Sequence, residues 1–344
     1  MTPGSGRKRP DEAKRGKHMT VSTSPLISVV SPFYNRAHHL PALLATLEAQ
    51  TFRDFELVIS DDGSTDELVD AVERSRTSFP TSCVRHQVNR GAAAARNTGM
   101  DVARGRYIAL LDSDDGWRPD KLQKQLQHVT SHQEASRLVS LTRQIVIGAS
   151  TYLAPNKTMN LADEVGSYLF LSGGVIQSSM MFLRRDLATS VRFDNESKGH
   201  DDWSFALRLQ AAGARFEMLN EPLTIYNDNT GGARRSPSYS ATRLQWLAER
   251  KQNLGNKAYW AAVAAVASRL EDNAEIKPLR LIANACGRGA ISPWRAAYYA
   301  LSWAMPSIRS IAVGARKVAA GRELARLSCS GNQQPDEVAG RRNE

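Results

Sequence analysis

Three carboxylates fall within four residues at Asp112, Asp114 and Asp115. Side chains so close repel one another and are costly to desolvate. They make chemical sense together when a cation sits among them. A hard divalent ion such as Mg²⁺ or Mn²⁺ takes carboxylate oxygens and commonly completes its shell with substrate phosphates. The competing reading is an acidic turn leading into the next helix, where Asp is favoured as a cap and by the helix dipole. Two more acidic pairs stand out, Asp61-Asp62 and Asp201-Asp202, the second between His200 and Trp203. A carboxylate ahead of a helix suits a general base or an N-cap, and one residue can serve as both.

The elements that must position these groups are legible from the pattern. Leu26 to Ser31, Phe55 to Ser60 and Tyr107 to Leu111 are short apolar, largely β-branched runs stopped by turn residues, which predicts buried strands. A weaker strand is expected at Val84 to Val88. Helical segments are predicted from Asn35-Arg36 through Leu47, from Glu67 to Arg76, and from Ala92 through Gly99. Strand-helix alternation at this pace implies an α/β fold with a parallel sheet and right-handed crossovers. Ligands bind beyond the carboxyl ends of such strands. Asp61-Asp62 and Asp112 to Asp115 both lie at strand ends, which favours the metal reading of the second cluster.

After about residue 137 the pattern changes. Short strands are expected at Leu138 to Ile147, Gln177 to Leu183 and Arg215 to Leu219, and a helix at Trp203 to Ala212. The chain divides into a basic, apolar-poor tail at 1–24 expected to be disordered, a catalytic domain at 25–235, a helical basic extension at 236–327, and a polar tail at 328–344. Met1 and Met19 both fit as the start of translation.

Bulk properties exclude several classes. Of 344 residues, 42% are hydrophobic and 23% charged, which is ordinary for a globular chain. Cys83, Cys286 and Cys329 form neither a disulfide framework nor a zinc spacing, so a reducing, cytoplasmic compartment is expected. No secretory apolar core occupies the first 25 residues. The longest apolar stretch, Ala258 to Ala267, is half of the roughly 20 residues that span a bilayer. The net charge of +10 raises nucleic acid as a partner. The acidic clusters sit in the sheet region and the basic excess outside it, so no nucleic acid is expected. From Arg234 to Arg326 basic residues outnumber acidic ones about three to one. Trp294, Tyr298, Leu301, Met305, Ile308 and Ala312 share one helical face there, with Arg295, Arg309 and Arg316 on another. Residues 293–320 therefore read as a basic amphipathic helix suited to an anionic membrane surface, or to packing on the catalytic domain.

Five segments in order, SVVSPFYNR (28–36), ELVISDDGSTD (56–66), NRGAAAARNTG (89–99), YIALLDSDDGWRPDKL (107–122) and HDDWSFALRL (200–209), resemble the family 2 glycosyltransferases over roughly 26–235. The resemblance implies a GT-A fold, with a Rossmann-like nucleotide-binding sheet. It implies inverting transfer from a nucleotide-sugar, typically a UDP-sugar, to a hydroxyl of a glycan or lipid-linked acceptor in surface polysaccharide synthesis. It places Pro32, Phe33, Tyr34 and Asn35 against the base, Asp62 on the uracil imide, and Arg96 and Asn97 in the nucleotide pocket. Asp115 is implied as the most direct ligand of a divalent metal (Mg²⁺ or Mn²⁺), Asp114 as a ribose or metal contact, and Asp112 as a third ligand. Asp202 is implied as the general base, with Asp201 orienting the site or substituting for it. The segment from Gly173 to Ser179 falls on the acceptor side. Many members carry Tyr-Arg-x-His after the base helix; here Tyr226-Asn227-Asp228-Asn229 stands instead, leaving Asp228, Asn229 or Arg234 as substitutes. A catalytically inactive GT-A scaffold is the alternative that this departure keeps open. The location implied is cytoplasmic, peripheral on the inner face of the membrane.

Overall fold

The structure is a computed structural model that describes residues 24–197, 199–228, 237–270, 276–305, 307–308 and 320. The expected tails at 1–23 and 328–344, along with Asn229, Arg234, Arg235 and most of the helix expected after 305, lie outside the described residues.

The first half is the alternation expected. β1 (Ile27–Phe33), α1 (Leu40–Glu48), β2 (Phe55–Asp61), α2 (Leu68–Arg74), β3 (Thr81–Arg85), α3 (Ala92–Val102) and β4 (Tyr107–Leu110) follow in order. β2 and β4 flank β1, β3 flanks β2, and all of these pairs are parallel. The strands are apolar without interruption because both faces are covered. Val30, Val58, Ile108 and Leu110 enter one buried cluster, while Val29, Leu57, Ile59 and Ala109 enter the other. Each fully buried Leu or Ile contributes about 1.5–3 kcal/mol. Chain order reverses direction on either side of β1, which opens a crevice at the carboxyl ends of β1 and β4. β3 starts three residues earlier than the sequence predicts. Its pairing runs from Leu57↔Thr81 to Asp61↔Arg85, and Val88, 65% exposed, already belongs to the turn beyond.

The second half adds β5 (Gly116–Trp117), α4 (Lys121–Thr130), β6 (Leu138–Ile147), β7 (Tyr152–Ala154), α5 (Val165–Phe170), β8 (Phe182–Arg184), α6 (Arg185–Val191), α7 (Asp201–Ala211) and β9 (Arg215–Asn227). The sheet order is β3-β2-β1-β4-β8-β6-β9-β5, with β7 on β6. Here the parallel expectation gives way: β8 is antiparallel to β4, and β5 antiparallel to β9. The strand expected from Gln177 begins only at Phe182, because Ser178–Met180 forms a 3₁₀ turn pinned beneath the acidic loop. β9 runs eight residues past its expected end at Leu219. Pro222 lacks an N–H, and a register shift opposite Arg143 accommodates it without ending the strand.

The helical extension holds α8 (Pro237–Glu249), α9 (Lys251–Leu254), α10 (Asn256–Ala267), α11 (Pro278–Gly287) and α12 (Pro293–Ala304). Trp246, Leu247, Ala262 and Val266 lie in the same buried cluster as Tyr168 and Phe205, so the extension packs into the core of the sheet region. α12 carries its apolar face outward: Trp294 is 86% exposed, with Leu301 and Met305 about half exposed. Among the described residues, no helix is long and apolar enough to cross a membrane.

Candidate active site

Two cavities meet at the carboxyl ends of the parallel strands. The first, about 360 Å³, is lined by Pro32, Phe33, Tyr34 and Arg36 from the β1 exit, Asp62 after β2, Arg96 on α3, and Asp112, Ser113 and Asp114 after β4. The second, about 460 Å³, is lined by Gly174 to Ser178, by His200 to Trp203 at the start of α7, and by Tyr226 and Arg243. Arg96 and Asp112 belong to both walls.

Asp62 is buried and held by three donors. The backbone N–H of Arg90 (2.8 Å) and of Gly91 (2.7 Å) donate to its two oxygens, and His86 Nδ1 lies 2.8 Å from Oδ1. Oδ2 accepts from Gly91 alone among these donors, and Asp62 lines the cavity. Gly63, at φ +77°, makes the turn; a Cβ there would sit 2.8 Å from the Val88 carbonyl carbon. Asp61, beside Asp62, braces the turn, accepting from Ser64 N at 2.8 Å and pairing with Arg85 at 3.3 Å. The two aromatic residues at the β1 exit divide: the Phe33 ring is buried in the core, while Tyr34 is 44% exposed at the cavity.

Asn35 and Asn97 line neither cavity. Asn35, at φ +51°, binds Ser64 and Thr65 and so ties the β1 exit to the β2 exit. Asn97 is buried; its amide donates to Phe193 O and Asn195 Oδ1 and accepts from Phe193 N. Its polar capacity is engaged in holding the loop before α7, which corrects its expected place in the nucleotide pocket.

The acidic cluster is dispersed rather than gathered. Asp112 accepts from Arg96 Nη2 at 2.6 Å, Asp114 from Arg36 Nη1 at 2.6 Å, and Asp115 from Ser179 Oγ at 2.6 Å. Among the described residues no three Asp, Glu, His or Cys side chains converge as a metal-ligand group. Where the sequence reading set three carboxylates around one cation, the ligand-free protein gives each its own partner. Asp115 is buried, and burial followed by the charge of Asp112 pushes its carboxyl well above the usual range. Ser179 also accepts from Asp112 N (3.0 Å), and its carbonyl accepts from Trp117 Nε1 (3.0 Å). Asn227 closes the loop from the other side, donating through N to Asp115 (3.3 Å) and through Nδ2 to the Asp114 carbonyl (2.5 Å). Asp228 bonds through its backbone to Ile147.

Arg96 is buried, and its Nε and Nη1 have no hydrogen-bond acceptor. Nη1 lies 3.7 Å from Asp201 Oδ2, and the guanidinium stacks 5.2 Å from the Phe193 ring. Two unsatisfied donor nitrogens on a buried cation between two cavities suit an incoming anion. Asp201 and Asp202 are the first residues of α7, which starts two residues earlier than predicted, and there the dipole favours their charge. Burial pushes the Asp202 carboxyl up to about 7 and raises that of Asp201. Asp202 Oδ1 accepts from Trp203 N at 2.8 Å. Beside them His200 stacks on Trp203 at 4.4 Å and accepts from Arg243 Nε at 3.0 Å.

Arg36, Ser179, Asn227 and Arg243 were given no role by sequence reasoning. Arg36 stands within the SPFYNR segment, Ser179 within the acceptor-side segment and Asn227 within the segment that replaces Tyr-Arg-x-His, so spacing could have found all three. Arg243 is distant in sequence from the motifs, and only α8 brings it in.

Comparison with known proteins gives a consistent result. The family model for glycosyl transferase family 2 matches residues 28–191. The amylovoran biosynthesis glycosyltransferase AmsB of Erwinia amylovora is 32% identical over 66% of this chain and 78% of its own length. An Escherichia coli protein, the UDP-Glc:alpha-D-GlcNAc-diphosphoundecaprenol beta-1,3-glucosyltransferase WfaP, is 34% identical over 68% and 88%. The mannosyltransferase PcManGT of Pyrobaculum calidifontis, solved with GDP-Man and Mn²⁺, superposes with a TM-score of 0.53 over 83% and 88% at 19% identity. The last likeness bears on the fold alone, which is GT-A.

Proposed function

The chain belongs to glycosyltransferase family 2, and on that premise we propose that it transfers a sugar, with inversion, from a UDP-sugar to a hydroxyl of a glycan or lipid-linked acceptor in surface polysaccharide assembly. The single observation that carries this reading is the junction of two cavities at Arg96 and Asp112, with Asp62 at one end and Asp202 at the other. The first cavity takes the nucleotide. Asp62 accepts from the base imide, Tyr34 lies along the ring, and Arg36 with Asp114 meets the ribose. Arg96 offers its unsatisfied N–H groups to the diphosphate at the junction.

Asp202 acts from the second cavity. As a carboxylate it accepts the proton of the acceptor hydroxyl while that oxygen bonds to the anomeric carbon and the bond to the diphosphate oxygen breaks. A base with a pKa of about 7 is matched to work near neutral pH. Asp201 orients Arg96. The names of the relatives support a UDP-sugar, a diphospholipid-linked acceptor and polysaccharide synthesis as the substrate class.

The donor chemistry of the acidic loop fits a hard divalent cation: Asp112 and Asp114 face the cavity with carboxylate oxygens, and Asp115 is buried beneath them without a counter-charge. Asp112 and Asp114, backed by Asp115, would hold Mg²⁺ or Mn²⁺, which supplies Lewis-acid stabilisation of the leaving diphosphate. We place the protein peripherally on a membrane through α12, whose outward Trp294 and Leu301, with Met305 just past its end, match an interfacial helix.

UDP release is the decisive assay, run over a panel of UDP-sugars and acceptors with Mg²⁺ or Mn²⁺. One donor–acceptor pair turns over, and Asp202→Asn lowers kcat about 10²- to 10⁴-fold. Full activity in that variant removes the base assignment; no turnover with any pair supports an inactive scaffold.

A further inference from the structure

A third cavity, about 340 Å³, lies behind the acceptor wall. Val175 lines both it and the cavity of Asp202, and the consecutive residues Gly173 and Gly174 face one each. The partition is therefore a single thickness of backbone. It is rigid for a stated reason: a Cβ on Gly174 would lie 2.3 Å from the Tyr168 ring, and Tyr168 itself donates to the Lys157 carbonyl at 2.8 Å. The same ring thus fixes the partition and the backbone that carries Lys157.

The chamber is basic. Lys157 and Arg295 line it, and among the described residues no carboxylate does. Lys157 Nζ reaches Ser172 Oγ at 3.4 Å, and Arg295 Nη1 donates to the Leu171 carbonyl at 3.2 Å. Neither makes an ion pair among the described residues. Two cations held by neutral oxygens, with the hydroxyl of Ser172 and the amide of Asn156 beside them, form a receptor for a compact polyanion. Arg295 is next to Trp294, which opens the exposed apolar face of α12.

Because Val175 lines both cavities, an acceptor with its reacting hydroxyl at Asp202 would reach this chamber by passing over the partition at Val175. We infer that Lys157 and Arg295 bind the diphosphate that joins the acceptor sugar to its lipid, with the lipid chain leaving along α12. This inference rests on the transfer reading for its orientation, while the anion site itself stands on its own residues.

The test keeps the two apart. With UDP saturating the donor cavity, binding of inorganic pyrophosphate and of farnesyl diphosphate is measured by calorimetry. The proteins compared are the wild type, Lys157→Gln, Arg295→Gln and the double variant, with unchanged circular dichroism as the check on folding. Loss of one charge-assisted hydrogen bond weakens farnesyl diphosphate about tenfold in each single variant, and further in the double. Equal binding by wild type and double variant overturns the site. So does a double variant that loses only phosphatidylglycerol vesicles while keeping both diphosphates, because the cations then read lipid headgroups. In turnover, the double variant raises KM about tenfold for a sugar-diphosphate-lipid acceptor and leaves KM unchanged for the matching alkyl glycoside. An equal rise for both acceptors overturns the assignment. If no acceptor turns over at all, the transfer reading fails, and the calorimetric difference alone upholds or removes the anion site.

Discussion

Arg96 and Asp112 form the hinge between the two halves of the active cleft: Nη2 donates to Oδ1 at 2.6 Å from a buried guanidinium that both cavities share. The remaining N–H groups of Arg96 have no acceptor, so the pair is arranged for a ligand rather than for its own stability.

Replacing Arg96 with Lys tests that arrangement. A lysine keeps the charge but not the planar fork that can hold Asp112 and an anion together. The expected loss in kcat/KM is about 10²-fold or more, of the size seen when a positioned donor to developing charge is removed. Steady-state UDP release measures it, and a loss below twofold would contradict the role.

The pH dependence follows from Asp202. Its carboxyl titrates at about 7 because of burial, against an ordinary value of 3.8. The base must be ionised, so kcat rises with pH through about 7 and levels above it. For stability the sign is opposite. The folded state retains a proton that the unfolded chain releases above about pH 4, so ionising Asp202 costs stability increasingly up to about pH 7. Asp202→Asn should therefore raise Tm more at pH 8 than at pH 5 while suppressing transfer. A calorimetric melt at the two pH values checks this.

Ser179 holds the acidic loop through its hydroxyl and its carbonyl. Ser179→Ala leaves Asp115 and the Asp112 N–H without that partner in a buried setting. The expected cost is about 1–3 kcal/mol in urea unfolding, together with reduced kcat.

Gly174→Ala forces a Cβ against the Tyr168 ring. Overpacking of this kind costs about 1–3 kcal/mol. Because the strain falls on the acceptor wall, KM for the acceptor should rise while KM for the donor stays within twofold.

Trp294→Ser combined with Leu301→Ser removes apolar surface that faces solvent. Tm should stay within about 2 °C, since little burial is lost, while flotation with anionic liposomes at low salt should fall sharply. Unchanged flotation would remove α12 as the contact.

The parallel half of the fold was legible because its strands are continuous apolar runs and their ends are marked by Asp-rich turns. The strand-end positions of Asp62, Asp112 and Asp114 follow from that pattern, while Arg96 on α3 and Asp202 on α7 were placed by the family resemblance. What spacing does not encode is how side chains are shared. Asn97 carries a motif-like position yet satisfies its amide on the Phe193 backbone, and Phe33 turns into the core while Tyr34 turns out. The length of β9 was hidden because Pro222 reads as a stop, and a register shift opposite Arg143 absorbs it. The dispersal of the acidic cluster was hidden too, since Arg36, Arg96 and Ser179 reach it from three different elements.

The register shift in β9 has a consequence for how the cleft tolerates insertions and deletions. Asn227 reaches the acidic loop only because the strand resumes pairing with β6 after Pro222. Along a strand, a slip of one residue turns every later side chain to the opposite face. Removing one residue between Asn220 and Pro222 would swing Asn227 away from Asp114 while leaving every motif residue in place. The reach of the active cleft is thus metered by chain length in a segment that contains none of its chemistry, and length variants of Asn220–Pro222 would retune the acidic loop from a distance.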